Sequence, residues 1–305
     1  MRALVIAEKK AQGEPFVKSL EERGIRAQYI RVSRISLVSV ENKTLIKVKG
    51  KELPRFDAVF FQVRPSLAPF LEPLIEAFKS TGAFLSATES SFYSSFNEPY
   101  QFVILAMNDV PTPRTLTSGS GKSIEKISSK ISYPLIAKSF LGKNVQQSIV
   151  VNTNRELGSF VNSIKSGVDG FMLREFIESD VVSCIVVGAN VFAIKRKFKN
   201  QAVSNMERGS TYRPTESEKE IAIKAASACC LKIARVDIAK GKVVKVGPVL
   251  PRDAFNKISS EKIEDKVASF LIEKMEEIGP KVSIVDDIKE IKSLFSRTIL
   301  GRVFK

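Results

Sequence analysis

The sequence predicts an α/β chain, with a small parallel sheet at the N-terminus followed by two α+β units. Three observations carry this. Through residue 90, short apolar runs alternate with helical stripes, the pattern of a parallel sheet covered by helices. Beyond residue 171 the apolar runs are β-branched and separated by hairpin turns, the pattern of an antiparallel sheet. Between them, Asp109-Val110-Pro111-Thr112-Pro113-Arg114-Thr115 carries two prolines that enforce extended backbone and mark a boundary.

Taken in order, Ala3–Ala7 reads as a buried strand. Glu14–Arg23 reads as a helix with Phe16, Val17 and Leu20 on one face and Gly24 ending it. Strands follow at Ile25–Val32 and Phe56–Val63, with an alternating, half-exposed ribbon strand at Lys43–Lys49. A helix over Ala68–Ser80, a strand at Ala83–Ser86 and a helix over Pro99–Met107 complete the first unit. Ser118–Ser123 is small and polar and reads as a linker. It contains Gly121-Lys122-Ser123, but Leu116 stands where a phosphate-binding P-loop needs its upstream glycine, which excludes that motif.

The second unit starts with a helix at Ser123–Lys130. A strand at Pro134–Lys138 then pairs with Ser148–Val151 across a loop of residues 140–147, and Asn154–Lys165 is helical. In the third, Phe171–Ile177 is read as a strand of an antiparallel sheet, with a hairpin of Ser183–Val187 and Val191–Arg196. Thr215 and Glu218 have capping-box spacing at the start of a helix to about Leu231. Apolar runs flank Lys240-Gly241-Lys242 as a hairpin, with Asp237 on the first strand and Lys245 its expected neighbour. Ser260–Ile278 is an amphipathic helix. The expected units are residues 1–115, 116–170, 171–280 and a helical extension over 281–305, whose apolar stripe suits a partner surface or a second copy of the chain.

Composition narrows the chemistry. The chain has 305 residues and no histidine, which removes Ser-His-Asp and Cys-His catalysis and histidine-held zinc. Any metal would be held by oxygen, as Mg²⁺ is. Three cysteines, two of them adjacent, form no disulfide framework and suit a reducing, cytoplasmic setting. No apolar run reaches membrane-spanning length, and the early charges Glu8, Lys9 and Lys10 do not fit a signal peptide. The net charge of +15 attracts anions such as nucleotides, acidic proteins or RNA.

The ordered set of motifs resembles the RimK-type ATP-grasp ligases (alpha-L-glutamate ligase-like). Val110–Thr115 looks like the linker into the nucleotide unit. Tyr133–Lys138 looks like the strand carrying a phosphate lysine, and Arg174-Glu175-Phe176-Ile177 like the hinge that lines the adenine pocket. Val186-Val187-Gly188, Ser204-Asn205, Arg208-Gly209, Thr215–Ala226 and Val236-Asp237-Ile238 follow in family order. The resemblance implies an ATP-grasp fold, in which an N-terminal α/β domain precedes two α+β subdomains that clamp a nucleotide. It implies ATP-dependent joining of a carboxylate to an amine through an acyl phosphate, with an acidic or amino-acid substrate. It assigns Lys138, Glu175, Phe176, Ile177 and Asn205 to ATP, Arg208 to catalysis and Asp237 to Mg²⁺.

The same resemblance exposes departures. The expected Glu and Asn metal ligands are Lys245 and Gly247. A lysine near the start of the helix at 98 is replaced by Glu98, which turns negative charge toward an anionic ligand. An acidic position before Val186 is Val181, beside Asp180. The expected phosphate-loop glycines survive only at Gly142, which makes a backbone cradle harder to form. Lys245 is expected to pair with Asp237 and fill the cation's place. The sequence therefore supports a ligase of reduced or altered activity or, alternatively, a non-catalytic module whose basic surface engages an acidic protein or RNA; a third reading is metal-independent nucleotide binding used as a regulatory switch.

Overall fold

The computed structural model describes residues 1–142, 144–164, 167–199 and 202–279. The extension expected over 281–305 lies outside the described residues. The N-terminal unit opens with strand β1 (Arg2–Ala7), helix α1 (Lys10–Glu21) and β2 (Arg26–Arg31). An antiparallel ribbon follows, of β3 (Ile35–Val40), β4 (Lys43–Val48) and β5 (Lys51–Glu52). Then come β6 (Ala58–Gln62), α2 (Ala68–Lys79), β7 (Phe84–Leu85), α3 (Glu89–Phe96) and α4 (Glu98–Met107). Strands β2-β1-β6-β7 form the predicted parallel sheet. Alternate residues of β1 and β6 pack to opposite sides, as strand pleating requires. Leu4, Ile6, Val59 and Phe61 meet α2 and α3; Ala3, Val5, Ala58 and Phe60 meet α1 and the last helix, α9 (Ile263–Ile278).

The middle unit contains β8 (Thr115–Ser118), α5 (Gly121–Ile127), β9 (Leu135–Leu141), β10 (Asn144–Val151), α6 (Asn154–Ser163) and β11 (Gly170–Glu175). Their antiparallel sheet has the order β10-β9-β11-β8. Its own core, including Leu135, Ala137, Leu157, Phe160 and Leu173, faces α5 and α6. The opposite face carries Phe140 and Met172 toward the rest of the molecule. This lid sheet therefore has a core of its own on one face and packs against the body through the other.

The C-terminal sheet has the order β16-β13-β12-β17-β18. Its strands are β12 (Val181–Val187), β13 (Asn190–Arg196), β16 (Ser210–Tyr212), β17 (Ile233–Ala239) and β18 (Lys242–Gly247). A two-stranded ribbon, β14 (Phe198–Lys199) and β15 (Ala202–Val203), precedes β16. Helix α7 (Glu216–Ala228) packs on one face with the predicted capping box at Thr215 and Glu218, and α8 (Arg252–Ile258) leads to α9. Val182, Cys184, Val236 and Ile238 join the same core as α2 and α3, so the N-terminal unit and this sheet form one body.

Three expectations are corrected. Residues 171–175 pair with β8 and β9, so this strand belongs to the lid sheet and not to the C-terminal one. Ser118–Ser123 is not a linker: Ser118 ends β8, Ser120 caps α5, and a side chain at Gly121 would collide with Val161. The loop expected over 140–147 is mostly strand. β9 and β10 run on to a tight turn at Gly142, whose φ of 56° is the left-handed geometry glycine permits. The hairpin at Lys240-Gly241 forms as expected. Both residues have positive φ, the type I′ geometry that suits twisted strands.

Candidate active site: a charged cleft between two sheets

Two clusters of charge meet where the lid sheet faces the C-terminal sheet. The first is built around Glu98. Asn97 caps α4 by accepting from the Tyr100 N–H, and Gln101 fastens the helix to β18 through both backbone groups of Val246. Glu98 is thereby held near β18, where it is half-buried. Lys138 Nζ donates to both of its carboxylate oxygens (2.7 and 2.5 Å), and Arg174 Nη1 donates to Oε1 at 2.8 Å. Lys138 and Arg174 lie on adjacent strands of the lid sheet with like parity, so both leave by the face turned to the body. Arg174 also sits over the Phe102 ring and donates to the Val244 carbonyl at 3.3 Å. Burial pushes the Lys138 pKa down against the opposing pull of Glu98. Glu98 thus does not face an anionic ligand as expected; it is committed to the lysine expected to bind phosphate.

The second cluster is built around Asp237. Its carboxylate is 5% exposed, and its Oδ2 accepts from Arg196 Nη2 at 3.0 Å and Arg235 Nη2 at 3.1 Å. Arg196 is oriented by Ser183, which accepts from its Nε at 2.8 Å. Ser183 and Asp237 are register partners on β12 and β17, and Arg235 is two residues from Asp237, so all three share one face. Asp237 Oδ1 is buried without a hydrogen-bond partner. Lys245 is opposite Asp237 on the β17–β18 ladder, beside a register shift. The expected Lys245–Asp237 ion pair is replaced by the two arginines, whose planar donor forks suit a carboxylate better than a single ammonium does. Lys245 itself donates no hydrogen bond and joins no ion pair among the described residues. Desolvation and Arg235 lower its pKa, while Asp237 and Glu98 oppose the shift. The side chain is exposed to solvent. Its electrostatic neighbours include Arg235 and Asp237 from one cluster and Glu98 and Lys138 from the other. Lys245 therefore joins the two clusters into one site.

The hinge lies at the end of β11. Glu175 accepts from Lys242 Nζ at 2.6 Å and from the Arg114 N–H at 3.2 Å, and the hydrogen bond to Lys242 is the main cause of its lowered pKa. Its own N–H donates to the Arg114 carbonyl, and that of Phe176 donates to Pro134. Phe176 and Ile177 are half-buried, with Phe176 edge-to-face against Phe198 at 6.0 Å. Asn205 and Arg208 sit exposed on a short 3₁₀ turn. Neither has a hydrogen bond or ion pair to the cleft clusters among the described residues. Arg196 Nη1 does reach the Ser204 carbonyl at 3.5 Å and so holds the start of that turn.

Sequence reasoning overlooked the roles of Arg174, Arg196 and Arg235. The signal for Arg235 was present in its spacing of two from Asp237 on one strand. Arg196 is 41 residues away and is placed only by strand pairing.

The model of the RimK-like ATP-grasp domain matches residues 100–247, which span both clusters and the hinge. Residues 100–247 are thus similar to a RimK-like ATP-grasp domain. A probable alpha-L-glutamate ligase of Vibrio parahaemolyticus is 26% identical over 239 residues, covering 75% of this chain and 78% of the relative. The fold is similar to that of the ATP-grasp ligase PsnB complexed with minimal precursor, Mg and ADP. That match has a TM-score of 0.68 and 14% identity, covering 90% of this chain and 97% of PsnB. The RimK domain protein of Sphaerobacter thermophilus is similar over 89% of this chain and all of its own length, with a TM-score of 0.65 and 13% identity. RimK-type ligases use ATP with Mg²⁺, so the donor set can be tested against that ion. Mg²⁺ requires near-octahedral oxygen ligation. Here Asp237 shares one oxygen between two guanidiniums, and Lys245 and Gly247 supply no carboxylate or amide. Asp253 stays exposed beside Arg252. Among the described residues no group of three or more acidic, Cys or His side chains is able to hold a metal. These residues do not fit magnesium. The described helices include none long and apolar enough to cross a membrane.

Proposed function

We propose that this chain binds an adenine nucleotide between the lid and C-terminal sheets, on an ATP-grasp frame no longer arranged for magnesium-dependent ligation. One observation carries the reading: Arg196 and Arg235 both occupy Oδ2 of Asp237, so of that carboxylate only the buried Oδ1 is left without a partner among the described residues. The similarity of residues 100–247 to a RimK-like ATP-grasp domain supports nucleotide binding itself. In this reading Lys138 and Arg174 exchange Glu98 for phosphate oxygens as the lid closes. Phe176 and Ile177 pack beside the adenine, with Glu175 holding the hinge to Lys242. The turn of Asn205 and Arg208 approaches the phosphates, where a guanidinium fork suits phosphate oxygens.

Ligation by acyl phosphate depends on positioning and on neutralising charge at the transferred phosphoryl group. Without a second and third metal ligand, that step lacks its support. The test is calorimetric ATP titration combined with ADP-release assays over a panel of amino acids and acidic peptides with Mg²⁺ present. ATP binds, and ADP release stays at background across the panel. Mg²⁺-dependent ADP release coupled to a new amide bond would instead make the chain a working ligase.

A further inference from the structure

We propose that side-chain cations take magnesium's place in this cleft, and that its ligand is a metal-free phosphate chain, the triphosphate of an adenine nucleotide. The inference rests on the nucleotide-binding reading above and adds what neutralises the phosphates.

Charge is the first support. Lys138, Arg174, Arg196, Arg235 and Lys245 surround the cleft, with only Glu98 and Asp237 against them. The surplus is positive, so the site repels a divalent cation and attracts an anion. Lys245 is the second. It is exposed, stands opposite Asp237 on the β17–β18 ladder, and has no hydrogen-bonded partner among the described residues. An anion reaching it supplies that partner. Space is the third. A Cβ built on Gly247 meets nothing within 4 Å, and Gly247 is the register partner of Arg235. The position expected to carry an amide ligand is instead open volume beside a guanidinium. Arg235 spends one terminal nitrogen on Asp237, leaving further donors of its fork for phosphate oxygens.

Free triphosphate carries more negative charge than its magnesium complex, so a site neutralised by side chains prefers the free form. The Asp237 and Glu98 carboxylates hold the cations in place until the ligand arrives, which limits the reorganisation needed on binding.

Calorimetric titration of the full chain tests this with ATP in EDTA, ATP in excess Mg²⁺, AMP, and inorganic tripolyphosphate. ATP in EDTA binds at least as tightly as in Mg²⁺, and AMP binds tenfold or more weakly. Lys245→Gln weakens ATP in EDTA by about tenfold, the scale of one charge-assisted contact, and leaves AMP unchanged. Arg235→Gln serves as the second variant, with thermal melts confirming that both fold. For the unaltered chain, ATP affinity that is tenfold or more weaker in EDTA than in excess Mg²⁺ overturns the inference while leaving nucleotide binding intact. Tripolyphosphate binding as tightly as ATP upholds the cation site but removes the adenine. Absence of binding by all four ligands overturns both readings.

Discussion

The Glu98 cluster and the Asp237 cluster face each other across the cleft as near mirror images. In the first, a lysine expected to meet phosphate is already held by an acid, Glu98, at 2.5–2.7 Å. In the second, an acid expected to meet a metal is already held by two arginines at 3.0–3.1 Å. The surroundings differ in one respect that matters. Asp237 is almost wholly buried and fixed within one rigid sheet. Glu98 joins a body helix to the lid sheet, which has a core of its own on its far face and meets the body through Phe140 and Met172. The Asp237 cluster is therefore a permanent part of the fold, whereas the Glu98 cluster is a contact that a closing lid or an arriving anion can exchange. The comparison teaches that satisfied charge need not mean inactive charge; what decides is whether the partners sit on one rigid unit or two.

The largest expected effect is at the permanent cluster. Asp237→Ala leaves the half-buried Arg196 and Arg235 together without their counter-ion, and should destabilise the chain by up to about 3 kcal/mol in denaturant unfolding. A metal ligand in a preformed acidic site would behave oppositely, since removing one carboxylate relieves repulsion. At the exchangeable cluster, Glu98→Gln should cost about 2 kcal/mol of stability by stranding Lys138 and Arg174. The same change should tighten ATP binding by removing the competing anion. Loss of both stability and affinity would show that Glu98 orders the site instead of occupying it.

Rebuilding the metal site sharpens the contrast further. Lys245→Glu with Gly247→Asn restores the expected ligand types, and the open space at Gly247 accepts the larger side chain. The two changes alone should leave ATP binding without a Mg²⁺ requirement, because Arg196 and Arg235 still hold Asp237. Adding Arg235→Gly should bring Mg²⁺ dependence, measured as a ratio of affinities with and without EDTA.

The smallest effect is at the hinge. Lys242 holds the folded-state pKa of Glu175 below its ordinary value of 4.5. A depressed carboxylate contributes stability above about pH 4.5 that is lost as pH falls through the folded value. Because Glu175 is partly exposed, the contribution is well under about 1 kcal/mol. Glu175→Gln should flatten the acid limb of stability by that amount in pH-dependent melts.

Much of the frame was legible from local signals. The parallel sheet followed from alternating buried runs, the capping box at Thr215 from spacing, and the hairpin at Lys240-Gly241 from its turn residues. Lys138 was placed correctly on its strand by the family pattern. What failed depended on partners distant in sequence. Residues 171–175 read correctly as a strand, but sheet membership is set by pairing with β8 and β9, some 35–55 residues earlier. The first half of β10 looked like a loop, while Ser148–Val151 was read as a strand; Val145–Gln147 are exposed throughout, so no inside–outside alternation marked them. The departures at Glu98, Lys245 and Gly247 were visible as residue types. Their consequence was not, because Arg196 and Glu98 meet their partners only through the folded sheets.

The account turns on whether Asp237 ligates a metal. Crystals grown with ATP and MnCl₂, examined for anomalous scattering from manganese, test this most directly. The account predicts phosphate density against Arg235 and Lys245 and no manganese peak within bonding distance of Asp237. A manganese ion bound to Asp237, with Arg196 and Arg235 turned aside, would contradict it.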